Sequence, residues 1–369
     1  MAVNKLFCNH SRWTDVFPVE PARWATGIIT EKNWMNKMKI KLKTFCGRTL
    51  AGLSLFAATT LTAMAGAFQP GTVISEPAWV VHLDADALRD SRIGKALLAE
   101  LDKPDVAGKF VLINAMLTFD PRKSLHGITL YSSTSAQEDG VALVYADFDA
   151  ARLISLAESA SDHQVVTNKG RALHNWANDK SKDKDGDETR TWAAIHDGKV
   201  VVFAQKQKNL LAALDVLAGT QPALKNDGHF PKPDKDSGPP IIFAVAHKLE
   251  IPGNDAHAAI FKQAKHMSLS LAASDANLTG KLSVATDTED SAQQVSIIAQ
   301  GLLALLSLQK ENPQATKLAH ALAIKQDGAN VEVRLKVAVD DAVEMIKAGA
   351  NKSDEKDGDK DKDKEKSKN

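Results

Sequence analysis

The sequence predicts an α+β protein made of two similar halves, each an antiparallel sheet of hairpins covered on one face by helices. Stretches of alternating apolar and polar residues are separated by Asp-Gly turns, and a helical stretch follows each hairpin. The same order recurs on both sides of NDGHFPKPDKDSGPP, residues 226–240, whose Pro, Lys and Asp content suits an extended linker. Hairpins joined in this way exclude a doubly wound parallel sheet, because there each helix follows a single strand.

Taken in order, the chain begins with residues 1–37, which hold three of the six tryptophans. They read as an extension upstream of the true start, at Met38 or Met35, or as a disordered leader. Lys39, Lys41, Lys43 and Arg48 then form a basic region, residues 49–64 an apolar one, and Ala63-Met64-Ala65 a small-x-small cleavage site. That order is a secretory signal over 38–65, cut after Ala65. The expected location is periplasmic or secreted; an uncleaved signal would instead tether the chain to the inner membrane. Cys46 precedes the apolar run, which excludes a lipid-anchored cysteine.

The first half, 66–225, opens with the strand AWVVHLD and a helix over 88–101, followed by a short helix near 110–117. LHGITLYS and VALVYADFD form a hairpin around Asp139-Gly140, and ARLISLAESA a helix. An extra hairpin turns at Asn168-Lys169-Gly170. RTWAAIH and KVVVFAQ then turn at Asp197-Gly198 ahead of the helix NLLAALDVLAG.

The second half, 241–350, repeats the plan with IIFAVAHKLE, the helix DAHAAIFKQA and the hairpin MSLSLAASDANLTGKLSVAT. In the helix after it, Ala292, Val295, Ala299, Leu302 and Leu306 recur at spacings of three and four, and Thr286 with Glu289 suggests a capping box. Leu322 and Ile324 pair with VEVRLKV over 331–337, and Asp340 is the expected cap of DDAVEMIKAG. The expected core is Leu269, Leu271, Leu282, Val284, Leu302, Leu306, Val333, Leu335 and Ile346. Over residues 78–349 this pattern resembles exported bacterial proteins of uncharacterised function that share hairpin-helix repeats. The resemblance implies the α+β fold and no catalytic residue.

Composition narrows the function. Both cysteines, Cys8 and Cys46, precede the predicted cut, so the mature chain has neither disulfides nor thiolate chemistry. Residues 66–369 carry 37 Lys and Arg against 43 Asp and Glu, a net of −6 that argues against nucleic acid as a partner. The apolar stretch 297–308 is well short of the roughly 20 residues that span a bilayer. The tail 351–369, with 7 Lys, 5 Asp and 2 Glu and no apolar side chain, reads as disordered.

Two segments have the vocabulary of metal binding. NDKSKDKDGDE, 178–188, contains the D-x-D-G of a calcium loop, with Asp183, Asp185 and Gly186 in place. Position 1 is Ser181, however, and position 12, which needs a bidentate Glu, is Trp192. Three lysines and flanking strands complete the case for a solvated hairpin loop. His82, Asp84 and Asp86 are the other candidates for a metal, acid-base or hydrolase site. The competing account has Val81 and Leu83 facing the core, His82 and Asp84 facing water, and Asp84 or Asp86 capping the next helix. His247, at the end of the matching second-half strand, reads as duplicated geometry. The remaining histidines lack ligand spacing, and no serine-hydrolase, zinc-protease, P-loop or dinucleotide motif occurs. The sequence therefore favours a non-enzymatic envelope protein with no cofactor, binding an unspecified protein or envelope component.

Overall fold

A computed structural model describes residues 66–103, 119–160, 162–182, 188–225, 239–247, 262–309 and 312–348. The signal, the short helix expected near 110–117, the Gly186 turn, the linker, most of DAHAAIFKQA and the tail lie outside these residues.

The first strand, β1 (Trp79–Asp84), is followed by α1 (Ala85–Asp90) and α2 (Arg92–Leu101), one expected helix broken at Ser91. Ser91 caps α2 by accepting a hydrogen bond from the Gly94 amide, so the break restarts the helix with its own cap. A one-turn helix, α3 (Pro121–Ser124), leads into β2 (Leu125–Ser132), β3 (Val141–Ala146) and α4 (Ala150–Glu158). The extra hairpin is β4 (Gln164–Asn168) with β5 (Arg171–Lys182), followed by β6 (Glu188–His196), β7 (Val200–Ala204) and α5 (Gln207–Leu217). The second part contains β8 (Pro240–His247), β9 (Ala264–Ala273), β10 (Asn277–Thr286), α6 (Glu289–Ser307), α7 (Pro313–Ala321), β11 (Leu322–Asp327) and β12 (Asn330–Ala338). Residues 339–348 form a last helix, α8. The helix that sequence reading missed, α7, has a plain signal: Asn312 caps it and Pro313 occupies its first turn.

All twelve strands belong to one antiparallel sheet, ordered β11-β12-β10-β9-β8-β1-β2-β3-β7-β6-β5-β4. Two similar halves could have a sheet each or join edge to edge into one; the second holds, as β1 pairs with β8 from Trp79↔Ala246 to Leu83↔Ile242. Pairing satisfies the backbone edges that two separate sheets would expose, the usual reason edges are covered.

Helices cover both faces of the sheet, which corrects the expectation of a single covered face. On one face Val80, Tyr131, Leu143, Val202, Phe243 and Val245 pack against Leu210 and Leu214 of α5 and against Phe68 and Val73. On the opposite face Leu83, Ile242 and Leu335 pack with Leu88, Ile93, Val343 and Ile346 from α1, α2 and α8. Farther along that face, α6 lays Ala292 and Val295 on Val284 and Val331. The central strands reflect the arrangement: β8 is apolar on both parities, as a strand buried from two sides must be, whereas β1 is apolar on one parity and sets the buried, hydrogen-bonded His82 and Asp84 beside Val80 on the other. The other side of β12 is polar, and its exposed Arg334 pairs with Glu332.

Caps differ from expectation in two places. Thr288, rather than Thr286, caps α6 by accepting from the Ser291 amide. The Thr286 hydroxyl instead donates to the carbonyls of Thr288 and Ala329. Residue 339 already lies in α8, so Asp340 falls inside the first turn, where Arg92 pairs with it at 2.6 Å.

Candidate functional site

The chemically best-equipped part of the chain is the end of β1, and its geometry reverses the sequence assignment. His82 is only 2% exposed and Asp84 9%, both on the face they share with Val80, whereas Val81 and Leu83 face the other way. Alternation alone pointed the other way, with the apolar Val81 and Leu83 on one parity and His82 and Asp84 on the other. What decides it is the segment before β1, which places Phe68 across the sheet: its ring lies 5.4 Å from that of His82 and 4.4 Å, edge-on, from that of Phe243.

Both ring nitrogens of His82 are engaged. Nε2 lies 2.9 Å from the Gly66 carbonyl, which only accepts, so Nε2 holds the proton; Nδ1 then accepts from the Thr129 hydroxyl, also at 2.9 Å. Burial outweighs the Gly66 hydrogen bond and lowers the pKa of His82 to about 4, so the ring is neutral at pH 7. The unfolded chain therefore binds the extra proton between pH 6.5 and about 4, and stability falls as pH drops through that window. The slope approaches about 1.4 kcal/mol per pH unit for one such group. His82→Leu should be less stable than the parent at pH 7, because Gly66 and Thr129 lose a partner, yet should lose less on acidification. Urea midpoints from pH 7 to pH 4 measure this; parallel profiles would show that His82 does not set the acid response.

Asp84 ends β1 and caps α1, accepting from the Ala87 amide at 2.8 Å. Burial raises its pKa, with the Asp86 carboxylate adding to the effect and the Ala87 amide opposing it. Asp86, in the first turn of α1, pairs with Arg89 at 2.7 Å and with His126 Nδ1 at 3.0 Å. His126 Nε2 reaches Asp147 at 3.1 Å, so each of its nitrogens faces a carboxylate. The structure thus brings Asp86 to His126 instead of His82, a partnership that sequence spacing did not suggest because it crosses from α1 to β2. The Asp84↔Gly127 register of β1 and β2 supplies it.

Two glycines make this corner possible. A methyl group on Gly66 would lie 2.4 Å from Asp84 Oδ1, 2.7 Å from the His126 carbonyl and 2.9 Å from Asp86 Oδ2. One on Gly127 would meet the Gly66 carbonyl at 3.0 Å. The chain at 66 therefore crosses β2 backbone to backbone, which only glycine permits.

Among the described residues, no group of three or more His, Cys, Asp or Glu side chains is arranged to hold a metal ion. The nitrogens of His82 point at Thr129 and Gly66 and not toward Asp84 or Asp86. The scattered histidines form two pairs, His163 with His174 at 3.1 Å and His247 with His266 at 3.2 Å. His82 faces Phe243 across the seam, while His247, at the end of β8, lies opposite His266 of β9. The calcium-like tract falls at a hairpin, with 178–182 in β5 and Glu188 opening β6. Among the described residues no helix is long and apolar enough to cross a membrane.

No protein-family model matches the chain, and no curated protein matches it. Among solved structures it is similar to crystal form III of TP0453, with 10% identity, 77% of this chain and 99% of that one covered, and a TM-score of 0.43. Crystal form I of TP0453 gives 9% identity, 77% and 98% coverage and a TM-score of 0.40. No property passes from that protein to this chain. The chain is defined by its own architecture, a mixed α+β protein around a large antiparallel sheet.

Proposed function

We propose that this chain is an exported, non-enzymatic envelope protein with a binding or structural role, built from two similar hairpin-helix halves. One observation carries the non-enzymatic reading: the side chain best suited to chemistry, His82, is buried with both nitrogens engaged in holding Gly66 and Thr129. A general base needs a nitrogen that reaches substrate, and His82 offers none.

The strand order supports duplication. Outward from the seam, β1-β2-β3-β7-β6 on one side matches β8-β9-β10-β12-β11 on the other, each with its last hairpin inserted in reverse. The helices α5 and α8, which follow matching strands, lie on opposite faces, so the halves have diverged in how they are covered. Export rests on the basic, apolar and Ala-Met-Ala order of 38–65. Intact-mass measurement of the envelope fraction should find a chain beginning at Gly66; full-length chain in the cytoplasm would defeat the proposal.

A further inference from the structure

The corner at the end of β1 is short of positive charge. Asp84 and Asp86 approach Gly66 together; Arg89 and His126 both serve Asp86, and among the described residues no cation pairs with Asp84. Gly66 itself is buried, and its carbonyl is held by His82.

The α-nitrogen of Gly66 and the methyl position discussed above are substituents of one tetrahedral carbon, about 2.5 Å apart. Since that position is 2.4 Å from Asp84 Oδ1 and 2.9 Å from Asp86 Oδ2, the nitrogen lies within roughly 5.5 Å of both carboxylates, inside the range where opposite charges act strongly. In the precursor this nitrogen is a neutral amide bonded to Ala65. Hydrolysis of that bond gives the hydroxyl of water to the Ala65 carbonyl carbon and a hydrogen to the Gly66 nitrogen, which takes a further proton from solvent.

We propose that removal of the signal creates an ion pair that locks the mature fold: the new Gly66 α-ammonium docks against the Asp84 and Asp86 carboxylates. The ligand of this acidic corner is therefore the chain's own processed terminus. This inference rests on the export reading and adds a purpose to the cut, since the same hydrolysis that releases the chain supplies the cation the corner lacks. Gly66 fits as the first mature residue because any side chain there would displace the carboxylates that receive its amine.

The test compares residues 66–369 bearing a free Gly66 amine, released from a fusion without extra residues, with the same chain Nα-acetylated. Each form is also made as Asp84→Asn, which keeps the capping oxygen of α1, and as Asp86→Asn. In the parent, the α-amino group should titrate about one pH unit or more above its ordinary 7.7–8.0, followed by pH-dependent amine labelling. Acetylation should lower Tm by a few degrees, and each Asn variant should shrink that difference. Comparison of free with acetylated chain within one variant removes any general effect of the substitution on folding. An ordinary titration, with equal Tm for the two forms, would overturn the ion pair while leaving export untouched. An envelope chain that starts elsewhere would overturn the cleavage site, and the biological ammonium with it.

Discussion

Residues 241–350 expressed alone should fail to give a soluble, cooperatively unfolding monomer. Separation at the linker would strip β8 of its pairing with β1 and expose one full backbone edge in the most apolar strand of the second half. Phe243 and Val245, 7% and 3% exposed in the intact chain, belong to a core made mainly by the first half, and exposing each costs about 1.5–3 kcal/mol. A domain is stable by only about 5–15 kcal/mol, so a fragment that loses both side chains and an edge has little left. Size-exclusion chromatography and urea unfolding of the fragment, alone and with residues 66–240 added, test this. A monomer with a single sharp transition would show that the halves fold independently.

Phe243→Ala should destabilise the whole chain by about 3–5 kcal/mol. Its ring is a contact through which the segment before β1 touches β8, edge-on to Phe68 at 4.4 Å and 5.5 Å from His82. Removing it leaves a cavity that rigid neighbours on β1 and β8 cannot close, and it loosens the cover over a buried histidine. Arg334→Ala is the matching control. That side chain is 58% exposed and its pairing with Glu332 is a surface one, so its loss should change stability by less than about 0.5 kcal/mol. Chemical denaturation of both variants gives the contrast directly; equal effects would mean that Phe243 is not a core residue.

Local structure was largely legible in the sequence. Val331, Val333, Leu335 and Val337 alternate with polar residues, and β12 does turn that parity inward, burying Val331 and Val337 and partly covering Val333 and Leu335. Asp197 and Gly198 adopt the positive φ, 49° and 66°, that a tight Asp-Gly turn demands. Lys169 and Gly170 do the same between β4 and β5. What failed was everything decided at a distance. The partnership of β1 with β8 leaves no periodic trace, because pairing between remote strands is chosen by overall packing. The faces of His82 and Asp84 were misassigned because polar side chains on one parity of a strand ordinarily face water, and the group that covers them, Phe68, precedes the strand by a stretch with no repeat. His126 looked isolated for the same reason, its partner Asp86 being 40 residues away.

The seam also sets a clock. Val80 and Val245 are paired neighbours about 165 residues apart in the chain, and contacts between remote strands are the slow ones to form, because the intervening chain must be gathered first. The middle of the sheet is thus the last part that can close, and until β8 arrives β1 has β2 on one side and nothing on the other. Such a chain stays open longer than one whose central strands are sequence neighbours. On the export reading proposed above, that delay would keep the chain in the unfolded state that threading through a membrane requires.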